Sequence, residues 1–243
     1  MSNTLRVMVA AAGRGTRAGL PYPKTLFALQ GKTILQRILE LLEPYDTQPT
    51  VIVSPEGEAP IRESLSLSGL SAHLVVQPEQ RGMGDAVLLF EQSPASAETE
   101  HLILVWGDIP FIQSATVATM VDAHLQHGND FTFATRMVDS AYTIVSRDQA
   151  GKLIGVVETR EMGITVPQAG EREIGLFIFR SSPVMRALRE NLSGKWGKST
   201  GEHGFLYIIS HLVLAGLRVE AIPVATELDT VSLNSMNDID AYL

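Results

Sequence analysis

An α/β fold, with a mixed central sheet flanked by helices, is what this 243-residue sequence predicts. Three observations carry it: short apolar or mostly apolar runs recur, helical-period apolar residues lie between them, and the runs end in small or polar turns. Strands buried on both faces read as continuous apolar runs. Their alternation with amphipathic helices marks a parallel sheet covered on its faces. In order, the strand-like runs are 5–11, Val51-Ile52-Val53, Leu74-Val75-Val76 and Leu102-Ile103-Leu104-Val105. Between the first two, Ile34, Leu35, Ile38, Leu39, Leu41 and Leu42 repeat with helical spacing, and 83–90 and 117–125 read the same way. The second half is less regular. There 142–145, 153–158 and 173–179 read as strands of a mixed sheet, and 183–190 and 205–214 as helices. One domain over 1–243 is expected, which is routine for α/β chains of this length.

Composition narrows the function. Lys and Arg total 19 against 27 Asp and Glu, a net charge of −8. That balance argues against a nucleic-acid backbone as partner, yet a few local cations and Mg²⁺ suffice to hold one phosphate chain. Cysteine is absent, so no disulfide framework or thiolate site is available. His73, His101, His124, His127, His203 and His211 show no metalloprotease spacing and read as surface or helix residues. No apolar run is long enough to span a bilayer, and the start lacks a signal peptide's basic and apolar regions. A soluble cytoplasmic protein without a membrane partner is expected. Residues 194–201 are the best candidate for a mobile loop, with Lys195 and Lys198 able to reach a phosphate.

Chemistry concentrates in three segments. The first is Val9-Ala10-Ala11-Ala12-Gly13-Arg14-Gly15-Thr16-Arg17, followed by Pro23-Lys24. Its glycines permit close backbone approach, and consecutive N–H groups in such a turn form an anion-binding concavity. Ala11, Ala12, Gly13, Arg14, Gly15 and Thr16 are therefore candidate phosphate-binding residues, while Arg17 and Lys24 would disperse polyphosphate charge as catalytic residues. The spacing is not that of a Walker A loop. The second segment, 77–86, follows a strand and opens a helix. Gln77 offers the donor and acceptor that reading a pyrimidine edge requires, and Gly82 and Met83 join it as candidate nucleotide-binding residues. The third is Trp106-Gly107-Asp108-Ile109-Pro110. A carboxylate at a strand's carboxyl end lies where α/β folds bind ligands, and Asp108 would supply a hard oxygen for Mg²⁺. Near the C-terminus, Asn234 offers a second such oxygen. For both residues the alternative is a helix cap.

Taken together these segments resemble the sugar-phosphate nucleotidyltransferases, and among them the uridylyltransferase domain of bacterial N-acetylglucosamine-1-phosphate uridylyltransferase. The likeness runs from about residue 5 to 243. It is strongest at 10–17 with Lys24, 77–86, 106–110 and Leu233-Asn234, and weaker at Val157-Glu158, Glu173-Ile174-Gly175 and Gly201-Glu202. The resemblance implies a Rossmann-like (GT-A-like) nucleotidyltransferase fold, with a nucleotide-binding half over about 1–112 and an acceptor-binding half over about 113–243. It implies that the glycine loop binds a triphosphate, Arg17 and Lys24 stabilise the transferring phosphoryl group, Gln77 and Gly82 hold the base, Asp108 and Asn234 hold Mg²⁺, and Glu158 lies near the sugar. Departures fall in the acceptor half. The family's Tyr-Gly-Asp is Trp106-Gly107-Asp108 here, its Gly-Tyr-Gly-Arg is Ala141-Tyr142-Thr143-Ile144, and its Asn-Thr-Gly is Glu173-Ile174-Gly175. Trp106, Thr143, Glu158 and Glu173 are accordingly the candidate acceptor-binding residues, and the acceptor's identity is left open. Acetyl transfer, the other activity of the bacterial enzymes, is not expected. The expected reaction joins a nucleoside triphosphate, preferably a pyrimidine one, to a phosphorylated small molecule, most simply a sugar 1-phosphate. Two alternatives stay open: a cytidylyltransferase acting on a small phospho-alcohol or phosphonate, and a catalytically silent nucleotide-binding protein.

Overall fold

The computed structural model describes residues 4–13, 15, 18–163 and 168–242. Arg14, Thr16 and Arg17 of the glycine loop lie outside the described residues. In chain order the main elements are β1 (Leu5–Ala10), β2 (Ala28–Leu29), β3 (Lys32–Thr33), α1 (Ile34–Leu42), β4 (Thr50–Val53), α2 (Pro55–Ser68), β5 (His73–Val76) and α3 (Met83–Leu88). Then come β6 (His101–Trp106), α4 (Ser114–Gln126), β7 (Phe131–Ala141), β8 (Thr143–Arg147), β9 (Leu153–Glu158), β10 (Gln168–Arg180), α5 (Ser181–Arg189), α6 (Ile208–Leu214) and β11 (Val219–Ile222). The chain divides into two compact units. One is built from Met1–Gln80, Leu89–Ser114 and Thr226–Leu243, the other from Arg81–Leu88 and Ala115–Ala225.

In the first unit β1 lies between β6 and β4, with β5 outside β4, and all four strands run parallel. Parallel strands must be covered on both faces, and Val7, Met8, Val9, Val51, Ile52 and Leu102 to Val105 are fully buried. Helix α1 begins at a capping box in which Gln36 N–H donates to Thr33 Oγ1 at 3.1 Å and Thr33 N–H donates to Gln36 Oε1 at 2.8 Å. Such a pair satisfies two otherwise orphaned donors. The helix buries Ile34, Leu35, Ile38, Leu39 and Leu42, the stripe its spacing predicts. Because the strands are parallel and in register, with Ala10 opposite both Ile52 and Trp106 and Val53 opposite Val76, their carboxyl ends share one edge. The turns after β6 and β1 lie side by side there, and the turn after β5 lies on the same edge beyond β4.

The second unit is mixed: β7 pairs antiparallel with β10 and parallel with β11, while β8 and β9 form an antiparallel hairpin. Its core is a cluster of Phe131, Phe133, Phe177, Phe179 and Phe205 with ring centroids 5.3–6.4 Å apart. Each such pair adds about 0.5–1.5 kcal/mol beyond its burial.

Several sequence expectations change. No strand was read between 105 and 142, yet β7 spans eleven residues there. Neither α2 nor β11 was anticipated, and the strand read at 173–179 extends over Gln168–Arg180. The helix read at 83–90 ends at Leu88 and tightens into a 3-10 turn, Leu89–Gln92, and the one read at 205–214 begins at Ile208. Beyond Asn234 the chain forms two 3-10 turns, Met236–Asp238 and Asp240–Tyr242. His101 and His203 are buried outside any helix, contrary to the surface-or-helix reading. Among the described residues no helix is long and apolar enough to cross a membrane.

Candidate active site

The strand edge of the first unit gathers most of the nucleotide-half residues. Ala11 N–H donates to Ile52 C=O at 2.8 Å, Gln77 N–H to Val53 C=O at 2.8 Å, and Gly107 N–H to Ala10 C=O at 2.9 Å, so each turn begins where a ladder ends. The glycines do steric work. At Gly15, with φ +74°, a Cβ would sit 2.8 Å from the Tyr22 carbonyl oxygen and 3.2 Å from Lys24 N. At Gly13 it would meet Lys24 Cε at 3.1 Å. The loop thus leaves room for the 20–24 segment to pass against it, and for the stem of Lys24 in particular. Gly15→Ala is expected to destabilise the fold by about 2–3 kcal/mol, since it adds a left-handed conformation to a backbone clash. Urea denaturation measures this, and an unchanged midpoint would contradict the close approach.

Lys24 opens the 3-10 turn Lys24–Leu26 directly after Pro23. Its ammonium donates to Asp108 Oδ2 across 84 residues of sequence, with side chains 18% and 12% exposed. The other carboxylate oxygen, Asp108 Oδ1, is buried and has no hydrogen-bond partner among the described residues. Asp108 caps no helix, because α4 begins only at Ser114. Its backbone carbonyl accepts Leu233 N–H at 2.8 Å, which brings the neighbouring Asn234 to the same corner. Asn234 Nδ2 donates to Ser232 Oγ at 2.8 Å. The cap of the following turn is Ser235, whose hydroxyl and N–H both engage Asp238 Oδ2.

Two residues that sequence reasoning passed over hold this corner. Asp229, fully buried, accepts Gln113 N–H, Thr226 N–H and Thr226 Oγ1–H, each at 2.7 Å. It fastens the returning chain before Leu233 reaches Asp108. Gln80 Nε2 donates to Ala12 C=O at 2.9 Å, tying the segment after β5 to the glycine loop. Neither carries a local motif. The only sequence signal was position: Gln80 lies within the 77–86 segment, and Asp229 lies five residues before Asn234. Gln77 itself is buried at the end of β5, and Trp106 is the last residue of β6, opposite Ala10.

The second unit carries Gly82, Met83, Thr143, Glu158 and Glu173. Gly82, with φ +107°, and Gly84 face the backbone of residues 202–204, not open space. His203 N–H donates to Arg81 C=O at 2.6 Å, and Gly84 N–H donates to His203 C=O at 3.0 Å. The protein's own chain therefore accounts for glycine at both positions. Burial, with Lys195 nearby, pushes the His203 imidazole down to about 4, so it is neutral beside the Tyr207 hydroxyl 3.3 Å away. Lys195 does not reach out from the 194–201 loop as expected. Its ammonium donates to Arg189 C=O and Glu190 C=O, both at 3.1 Å, at the end of α5.

Thr143, Glu158 and Glu173 come together. Thr143 pairs with Glu158 across the β8–β9 hairpin. Glu173 is fully buried, and its two oxygens accept Thr143 Oγ1–H at 3.1 Å and Gly175 N–H at 2.6 Å. The second bond braces the register shift of β10 between Glu173 and Phe177, where Gly175 takes φ +80°. Burial pushes the Glu173 carboxyl up to about 7, and the negative charge of Glu158 pushes the same way.

A family model described as the MobA-like NTP transferase domain matches residues 7–200. The bifunctional protein GlmU of Thermobifida fusca is 30% identical over 203 residues, covering 80% of this chain and 42% of the relative. GlmU of Streptococcus thermophilus is 29% identical over 184 residues, covering 75% and 39%. The chain spans well under half the length of these curated relatives. Among solved structures, the inositol-1-phosphate CTP transferase from T. maritima superposes with a TM-score of 0.74 at 16% identity, covering 99% of this chain and 93% of that one. At that identity the likeness is one of fold, the mixed sheet flanked by helices that the sequence predicts.

Proposed function

Because the chain belongs to the MobA-like NTP transferase domain family, we propose that it joins a nucleoside triphosphate to a phosphorylated small molecule, with a sugar 1-phosphate as acceptor and Mg²⁺ as cofactor. The observation that carries this reading is the corner at the strand edge: the glycine loop, Lys24, Asp108 and, one residue beyond the Leu233–Asp108 hydrogen bond, Asn234. Asp108 Oδ1, buried without a hydrogen-bond partner among the described residues, is the kind of hard oxygen a divalent cation takes, and the Asn234 amide oxygen has the same chemistry. Those two residues would hold the ion, which when bound offsets phosphate charge.

The chain's own residues supply the rest. Backbone N–H groups of Ala12, Gly13 and Gly15 face the triphosphate, and Gln77 holds a pyrimidine base. An oxygen of the acceptor phosphate attacks the α-phosphorus in line, the bond from that phosphorus to the α–β bridging oxygen breaks, and pyrophosphate leaves. No side chain need act as nucleophile or strong base, because a phosphate monoester is already anionic. Lys24, and Arg17 by its place in the sequence, stabilise charge that accumulates on the transferring group. On the acceptor side, Thr143 and Glu158 are the nearer candidates for substrate contact. Glu173 spends both oxygens on Thr143 and Gly175, which makes it a weaker candidate for substrate contact than Thr143 and Glu158.

Pyrophosphate release, assayed over four nucleoside triphosphates and a panel of sugar 1-phosphates and phospho-alcohols, tests the reading. Release that requires both a pyrimidine triphosphate and a sugar 1-phosphate is expected. Release without any acceptor, or none with any pair, would contradict it.

A further inference from the structure

Lys24 and a divalent cation have claims on the same carboxylate. The ammonium of Lys24 already donates to Asp108 Oδ2, and the two side chains are only 18% and 12% exposed. Water therefore screens the pair poorly, and like charges held a few ångströms apart in such a place repel strongly. The approach is built in. Pro23 and the 3-10 turn fix the backbone of Lys24, and the missing side chain of Gly13 clears its stem, a Cβ there standing 3.1 Å from Lys24 Cε.

We infer that Lys24 is a tethered competitor for the metal position, one that keeps the corner from taking a bare cation and yields it only when a triphosphate arrives. This rests on the assignment of Asp108 as a metal ligand. A bare divalent ion meets a carboxylate whose charge is already half spent on the lysine. A triphosphate changes the balance twice: it brings further oxygens for the ion, and it offers Lys24 new anionic acceptors. Metal and nucleotide binding are then coupled through one side chain, and the coupling is reciprocal. The same lysine that opposes the ion alone assists the reaction once the phosphates are present. Its removal should therefore strengthen one property and weaken the other.

The test is Mn²⁺ binding without nucleotide, followed by the electron paramagnetic resonance signal of free Mn²⁺, on the whole chain. Lys24→Met should bind Mn²⁺ at least about 10-fold more tightly than the wild type, as expected when a like charge leaves a poorly screened site. Lys24→Gln, a second neutral variant, should do the same, and Lys24→Arg, which keeps the charge, should stay near wild type. Asp108→Asn should bind Mn²⁺ more weakly than any of these. Neutral variants that bind no more tightly, while Asp108→Asn still loses binding, would overturn the competitor role and leave the metal assignment standing. Unchanged Mn²⁺ binding in Asp108→Asn would instead remove the metal assignment itself. Thermal melts of each variant confirm that folded protein is compared throughout.

Discussion

Asp108→Asn is expected to lower turnover by roughly 10²–10³-fold, the scale of losing a preorganised charge at a phosphoryl-transfer centre, with little effect on folding. The structural bond of this residue is made by its backbone, whose carbonyl accepts Leu233 N–H at 2.8 Å, and Asn leaves that intact. Asn also keeps the side-chain volume and an oxygen for Lys24. The cost to stability should be about 1 kcal/mol, the net value of one hydrogen bond weakened by loss of charge. Steady-state kinetics beside thermal denaturation separate the two. Turnover within a few-fold of wild type, or a loss of activity that merely tracks unfolding, would contradict the assignment.

The second large effect is one of pH and stability. Glu173 is buried and its carboxyl is pushed up from 4.5 to about 7. Between those values the folded protein keeps a proton that the unfolded chain has released, so stability falls as pH rises through that window and levels off above it. At about 1.4 kcal/mol per pH unit the difference amounts to roughly 3 kcal/mol. Gln has the shape of the protonated acid. It can accept from Gly175 N–H and donate to Thr143, the two groups that Glu173 engages. Glu173→Gln should therefore match wild type at pH 5, within about 1 kcal/mol, and exceed it at pH 8 by about 2–3 kcal/mol. Urea denaturation at pH 5, 6, 7 and 8 decides it. A variant weaker than wild type at pH 8 would show that the carboxylate is needed charged.

Glu173 also marks the limit of what the sequence could tell. A carboxylate in a segment that resembles a family's amide-bearing motif reads as a pocket residue, because a linear motif carries no burial. The structure turns it inward to brace a bulge. The parallel strands were legible because burial on both faces writes itself as an unbroken apolar run, as in Leu102 to Val105. Strand β7 was not. Its buried half includes Thr132 and Thr135, both fully buried, and its outer half, Met137 to Ser140, mixes apolar with polar residues and is largely exposed. Helix α2 buries only Gly57, Ile61 and Leu65, one residue per turn, too narrow a stripe to stand out among its glutamates and serines. In the candidate corner, Lys24, Asp108 and Asn234 were singled out from local chemistry, and the resemblance alone put Asp108 and Asn234 together. Local spacing could not, since their approach depends on a parallel register and on Asp229 fastening a segment more than a hundred residues downstream of Gln113.

The central claim is that the loop after β1, with Lys24 and Asp108, receives the phosphates of a nucleoside triphosphate. Amide chemical-shift mapping tests it most directly, with one titration using a Mg²⁺–pyrimidine triphosphate and a parallel one using the bare nucleoside. The account predicts that the amides of Ala11, Ala12, Gly13, Gly15 and Lys24 shift with the triphosphate and stay put with the nucleoside, while Gln77 responds to both. Phosphate-dependent shifts confined to some other part of the chain, with these five amides unmoved, would contradict it.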